Sequence, residues 1–229
     1  FVVVEHSQCL MTMPLMSYLS AHNVAVIFCD SKKMPCSSVV SLSGNQIQNE
    51  VYRAQLSSTP VLNKQIWKST VCAKVKNQAK LLENLGRPNK DLLYLIKQVK
   101  SGDTTNIEGQ AARLFWSRLF GSPFKRDRDA EDINSLFNYG YIVLRAAVAR
   151  ALVGSGLMLT LGVHHHNRYN AFCLADDVME PYRPYVDKLV YDMTLDYGMQ
   201  IPLDKYTKAA ILKVLTSDVS RPREAITTS

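Results

Sequence analysis

At 229 residues, and with domains commonly holding about 100–200 residues, the chain has the length of one large domain or two small ones, enough to bury a core. Its composition, 47% hydrophobic and 21% charged with 10 Gly and 9 Pro, excludes a disordered, collagen-like or low-complexity polymer. Lys and Arg number 27 against 20 Asp and Glu, a net charge of +7, so a phosphate-rich partner is favoured, nucleic acid or anionic membrane.

The first forty-odd residues read as β-rich, with β-branched runs at Phe1–Glu5, Val24–Cys29 and Val39–Leu42. Between the first two, Pro14 to His22 has helical spacing at Leu15, Tyr18 and Leu19, and Asn23 ends it. The opening Phe1 and the valines after it are no basic-plus-apolar signal segment, and the natural chain is expected to begin earlier. From Gln46 the period becomes helical, and Ser57-Ser58-Thr59-Pro60 marks a break followed by a Pro-started helix. The expected division is therefore a β-rich domain over 1–45, a linker region over 46–60 and a helical domain over 61–229.

The helix after Pro60 is predicted to reach about Leu85, with Trp67, Val71, Val75 and Leu82 on its inner face and Lys64, Lys68, Lys74, Lys76 and Lys80 on the rest. Those lysines make either a solvated face or a surface that tracks phosphates. Further helices are predicted at about Lys90–Lys100, Asn106–Phe120, Asp132–Gly154, Asp176–Tyr197 and Asp204–Thr216. The stretch Tyr139–Val163 is long enough to span a bilayer, but Arg145 and Arg150 within it argue for a core helix and against a membrane. Small residues Gly140, Ala146, Ala147, Ala149 and Ala151 there let neighbours approach, which suits a central helix. The charged connector Lys125–Glu131 reads as a mobile loop where residues of the natural chain are missing. Cysteines at 9, 29, 36, 72 and 173 form no CxxC pair; neither a disulfide framework nor a zinc site fits, and a reducing cytoplasm is the simplest location.

Three segments concentrate acid or imidazole. In Thr105-Asn106-Ile107-Glu108-Gly109-Gln110-Ala111-Ala112-Arg113, the Thr105-x-x-Glu108 spacing is that of a capping box, while the small residues after Glu108 leave room for a ligand. Gly162-Val163-His164-His165-His166 places at least one ring on each side of the backbone. In Asp176-Asp177-Val178-Met179-Glu180-Pro181-Tyr182-Arg183-Pro184, Asp176 suits an N-cap, Asp177 and Glu180 share a side, and Arg183 can pair with Glu180 or Asp187. The plain reading of this segment is a capped, salt-bridged helix. Brought together, Glu108, one His and Glu180 would offer two hard oxygens and a nitrogen, a set suited to Mg²⁺ or Mn²⁺ with positions open for phosphate oxygens. Such a site on a basic protein would cut or join nucleic acid.

These segments, with Asn138-Tyr139-Gly140-Tyr141 leading to Leu144-Arg145-Ala146, and Leu161 ahead of the histidines, resemble in order the hallmarks of the CRISPR-associated spacer-acquisition integrases, the first-numbered Cas proteins. Val24–Asp30 and Asn77-Gln78-Ala79 are similar to the subgroup accompanying type II systems. The resemblance implies an α+β fold, with a small β-rich domain before a larger all-α catalytic domain, in a homodimer. It implies a metal-binding catalytic triad of Glu108, His165 and Glu180. The second histidine is chosen because the His pair directly follows Gly162-Val163, although the triplet permits a slip of one. Asp177 is implied as a reserve ligand or a partner of one, while Asn138, Arg113 and Arg183 support the site or contact phosphate. The implied reaction is metal-dependent transesterification, in which the 3′-hydroxyl of a captured duplex attacks a repeat array, with hydrolysis as the endonuclease side of the same site. The implied companion is the small ferredoxin-like second-numbered Cas protein bridging two dimers, with double-stranded DNA across a basic platform and Lys64, Lys68, Lys74 and Lys76 as candidate contacts. Two other readings compete. One is a catalytically silent DNA-binding scaffold; the other is a membrane-surface protein, disfavoured because no exposed amphipathic helix pairs bulky apolar and basic sides.

Overall fold

In the computed structural model, which describes residues 2–216 apart from 32, 33, 123, 128 and 131, the first two β-branched runs and the segment ending at Val39 form one three-stranded sheet. β1 (Val2–Val4) pairs in parallel with β2 (Val26–Cys29), which pairs antiparallel with β3 (Pro35–Val39). A parallel pair needs a crossover, and α1 (Met13–Ala21) supplies it. Thr12 caps α1 by accepting from the Leu15 amide, and Asn23 leaves the helix in the left-handed region at φ 52°. The expected third strand at Val39–Leu42 lies earlier, because Val39 is already the partner of Val26 and Leu42 is 93% exposed. Phe1, at the edge of the first expected strand, lies outside the described residues.

The 46–60 stretch is not extended: it holds α2 (Gln48–Leu56). Asn45 donates to the Gly154 carbonyl at 3.2 Å, and the Gln55 amide group makes three bonds of 2.9–3.1 Å with the Met158 amide and the Met158 and Leu161 carbonyls. These tie α2 to the loop that carries the histidines.

The buried apolar residues described in the helical body form three clusters. α3 (Pro60–Asn84), capped by Thr59 and begun at Pro60, packs Trp67, Val71, Val75 and Leu82 against α4 (Lys90–Ile96) and α5 (Ile107–Phe120). α6 (Asn134–Gly154) packs Leu136, Phe137, Val143 and Leu144 against α8 (Arg183–Tyr197) and α9 (Lys205–Leu212), while Ala149 and Leu152 meet α7 (Cys173–Met179). The small-residue face of α6 is partly used: Gly140, Ala146 and Ala149 are buried, but Ala151 is exposed. α6 is long and apolar enough to cross a membrane by length and composition, and half of its most apolar window is buried in these contacts. The predicted single helix Asp176–Tyr197 is instead α7, a 3-10 turn at Glu180–Tyr182, and α8. Pro181 and Pro184 lack the amides that would carry an α-helix through. Asp176 is not an N-cap; it lies in the first turn of α7 and accepts from Asn170 at 2.6 Å. All five cysteines are free thiols.

Candidate active site

α3 runs past the starts of α5 and α8, and its buried face carries two polar residues in register with its apolar stripe. Lys74 and Gln78 follow Val71 at i+3 and i+7 and are 8% and 3% exposed. Lys74, expected with Lys64, Lys68 and Lys76 on a face open to DNA, is instead turned inward and buried. Its ammonium donates to Glu108 and, at 2.5 Å, to Glu180 Oε2. Lys64, Lys68 and Lys76 do lie exposed on α3.

Glu108 is available for this contact because other residues cap α5. The Asp103 carboxylate accepts from the Ile107 and Glu108 amides at 2.8 and 2.9 Å, and Asn106, in the left-handed region at φ 52°, accepts from the Gly109 amide at 3.1 Å. The capping-box reading of Thr105 and Glu108 therefore fails; the orphan donors are met by Asp103 and Asn106, on either side of Thr105.

Glu180 opens the 3-10 turn, 6% exposed, and accepts from Arg183 Nε at 2.7 Å as well as from Lys74. Burial presses its acid form upward, but the charges of Lys74 and Arg183 outweigh that and its pKa falls below the usual carboxylate value. Asn77, a turn along from Lys74, donates to the Pro181 carbonyl at 2.7 Å and fixes the turn. Arg183 pairs with Glu180, while Asp187 accepts from the Tyr141 hydroxyl at 2.5 Å. Asp187 is 2% exposed, and burial pushes its pKa up to about 7 against the pull of the Tyr141 hydrogen bond and Arg183.

His165 stands on the loop between α6 and α7. One buried carboxylate organises that loop: Asp177 accepts from the amides of Val163 at 2.7 Å, His164 at 3.0 Å and His165 at 3.2 Å, and from His165 Nδ1 at 2.6 Å. The hydrogen bond to Asp177 raises the His165 pKa, against burial. With an ionised acceptor at Nδ1 the proton resides there, leaving the Nε2 lone pair for a ligand. His164 instead stacks flat on Trp67, ring centroids 4.0 Å apart and planes at 1°, and His165 meets the same indole edge-on at 5.8 Å. His166 is exposed.

Glu108, His165 and Glu180 thus line one cavity of about 310 Å³ with Lys74, Gln78 and Asp187. His165, Glu180 and Arg183 also line a neighbouring cavity of about 490 Å³, with Asn138 and Arg145. Arg113 is exposed on α5 and lines neither. Among the described residues no three carboxylate, imidazole or thiol groups are drawn around a single point as in an occupied ion site; the place between the two glutamates is taken by the Lys74 ammonium. The donor chemistry nonetheless fits a hard divalent ion, since two carboxylates from separate elements converge on one cation beside an imidazole. One residue of the charged connector reaches the site. Arg126 donates to Asn134 and Asn138 at 2.8 and 2.6 Å, lies over the Phe137 and Tyr141 rings, and lines both cavities; Arg128 and Glu131 of that connector lie outside the described residues. Sequence reasoning placed Trp67 on the inner face of its helix and quoted Asn77 and Tyr141 within motifs but gave none of the three a role at the site, although Trp67 and Asn77 sit at i−7 and i+3 from Lys74, a visible helical signal.

Residues 2–218 match the family described as CRISPR associated protein Cas1. The chain is 35% identical over 229 aligned residues to a "CRISPR-associated endonuclease Cas1" of Neisseria meningitidis serogroup C, covering 99% of this chain and 75% of that protein. A "CRISPR-associated endonuclease Cas1 1" of Francisella tularensis subsp. novicida is 24% identical, with 90% and 72% covered. Among solved structures, the fold is shared with a casposase bound to integration product, at TM-score 0.76 and 20% identity over 93% of this chain and 68% of that one. A Cas1 protein from Thermotoga maritima superposes at TM-score 0.68 and 18% identity over 95% and 77%. A match spanning both the sheet and the helical body, together with the sequence order of the acidic and histidine segments, makes this chain a member of the Cas1 family.

Proposed function

We propose that the chain is a metal-dependent DNA endonuclease and integrase, which inserts captured foreign DNA as new spacers into a CRISPR array by 3′-hydroxyl transesterification. One observation carries the reading: Glu108 from α5 and Glu180 from the turn before α8, 72 positions apart, converge on one cation position in a cavity that His165 also lines. Glu108, His165 and Glu180 would hold Mg²⁺ or Mn²⁺, which when bound withdraws charge from phosphoryl oxygens and orients the attacking hydroxyl. Asp177 holds the His165 ring and its proton at Nδ1. Arg183 keeps Glu180 ionised and, with Arg126, supplies fixed positive charge around the site for a phosphodiester. Asn138, held by Arg126, supports that wall.

The exposed Lys64, Lys68 and Lys76 on α3 are suited to the DNA backbone, which implies steep salt dependence and little base reading. Under this reading the protein acts as a homodimer on double-stranded DNA with the second-numbered Cas protein as companion. A solved structure titled Cas6-RT-Cas1–Cas2 complex, related in fold at TM-score 0.65 with 93% of this chain and 28% of that one covered, supports such a partner. The test is strand transfer of a labelled duplex into a repeat-bearing plasmid with Mg²⁺ or Mn²⁺. Glu108→Ala should abolish transfer while leaving DNA binding in place, and undiminished transfer would sink the assignment.

A further inference from the structure

The cavity between α3, α5 and the Glu180 turn contains a positive charge of its own. The Lys74 ammonium donates to both Glu108 and Glu180, and its side chain is almost wholly enclosed. Two carboxylates crowded into one poorly hydrated pocket repel unless a cation stands between them. A divalent ion takes carboxylate oxygens at about 2.0–2.6 Å, so an ion held by Glu108 and Glu180 would need the space between them that the Lys74 ammonium fills. The two cations therefore exclude one another. One helical turn onward, Gln78 lines the same cavity and its Oε1 is buried with no hydrogen-bond partner among the described residues. The i, i+4 spacing places that acceptor on the face of α3 that carries Lys74.

We propose that Lys74 is a built-in counter-ion of the metal-free site: its ammonium holds Glu108 and Glu180 together and swings toward Gln78 when a divalent cation takes its place. This rests on the reading of Glu108, His165 and Glu180 as the ion site. Two consequences follow from charge. The metal must break two charge-assisted hydrogen bonds on entry, so the free protein binds it more weakly than the bare donor set would. The displaced ammonium loses its two glutamate partners but stays beside the cavity, where a DNA phosphate can accept from it. Metal and DNA then raise each other's affinity by the same factor.

The experiment is calorimetric titration of Mn²⁺ into the full DNA-free chain. Lys74→Met should bind Mn²⁺ about tenfold tighter or more, the gain expected if even one charge-assisted hydrogen bond no longer has to be broken. Lys74→Arg, which keeps a cation, should bind no tighter than the parent. Lys90→Met, an equal charge loss at an exposed position on α4, should stay within about twofold. Unchanged or weaker binding by Lys74→Met overturns the counter-ion role. Should that variant fail to fold, the side-chain ¹⁵N signals of lysine in the parent protein serve instead: the Lys74 signal should shift in step with Mg²⁺ occupancy, and a signal that ignores bound Mg²⁺ overturns the proposal. Glu108→Gln separates this proposal from the reading beneath it. A binding heat that survives Glu108→Gln refutes the ion site itself, whereas a heat that vanishes there but ignores Lys74 refutes only the counter-ion.

Discussion

Replacing Asp177 by alanine removes the organising carboxylate of the histidine loop. Its side chain is 1% exposed and accepts from three amides and the His165 ring. At a net contribution of about 1 kcal/mol per amide bond, the three amides alone set a loss of about 3 kcal/mol, and any amide left buried without water adds about 1–3 kcal/mol. The ring bond is left out of that sum, because the His165 side chain is 43% exposed and water replaces its partner. A loss of this size is a large fraction of the stability of an ordinary domain, about 5–15 kcal/mol. Urea unfolding of parent and Asp177→Ala measures it, and proton NMR of the His165 ring provides the second readout. The ring pKa, raised in the parent first of all by the Asp177 hydrogen bond, should fall in the variant, and strand transfer should fall with it. An unfolding free energy within about 1 kcal/mol of the parent, with an unmoved His165 titration, would refute the claim that one carboxylate holds this loop.

Three further substitutions probe the close contacts around the site. In Gly162→Ala the new methyl would press into the His165 carbonyl and stand 2.9 Å from Asp177 Oδ2, so a loss of about 1–3 kcal/mol from overpacking and reduced strand transfer are expected by thermal unfolding and the integration assay; parental behaviour in both would contradict the close approach of this turn to Asp177. Gly140→Ala should gain about 1 kcal/mol of helix propensity in α6 but would push a methyl into Val186 Cγ1 and to 3.1 Å from Ile211 Cγ2. Net destabilisation in urea is expected, and a net gain would show that α6, α8 and α9 are not packed this closely. Asp187, whose folded pKa of about 7 lies above its ordinary 3.8 because of burial, favours the folded state most fully below pH about 4 and loses that contribution as pH rises through about 7. The parent should therefore lose up to about 4 kcal/mol relative to Asp187→Asn across that window, at about 1.4 kcal/mol per pKa unit, and parallel stability profiles would show that Asp187 is ionised throughout.

Much of this architecture is legible along the chain because it is local. Thr12 and Thr59 ahead of Pro14 and Pro60 mark helix starts, and the Trp67-Val71-Val75-Leu82 stripe marks the buried side of α3. The order of the acidic and histidine segments marks the family. What local pattern could not decide is which polar groups meet. Lys74 reads as one more solvated lysine until α5 and the Glu180 turn pack over it, and only then does its charge acquire two buried partners. Glu108 reads as a cap, and becomes available to Lys74 because Asp103, ahead of the Thr105-x-x-Glu108 motif, takes the helix amides. Chain periodicity reports burial averaged over a turn, whereas hydrogen bonds between segments 34 or 106 residues apart depend on the relative placement of whole helices. The sequence by itself therefore determined the family, the helical periods and the acids and imidazoles to consider; tertiary packing alone decided which of them share a cavity, and that a lysine stands among them.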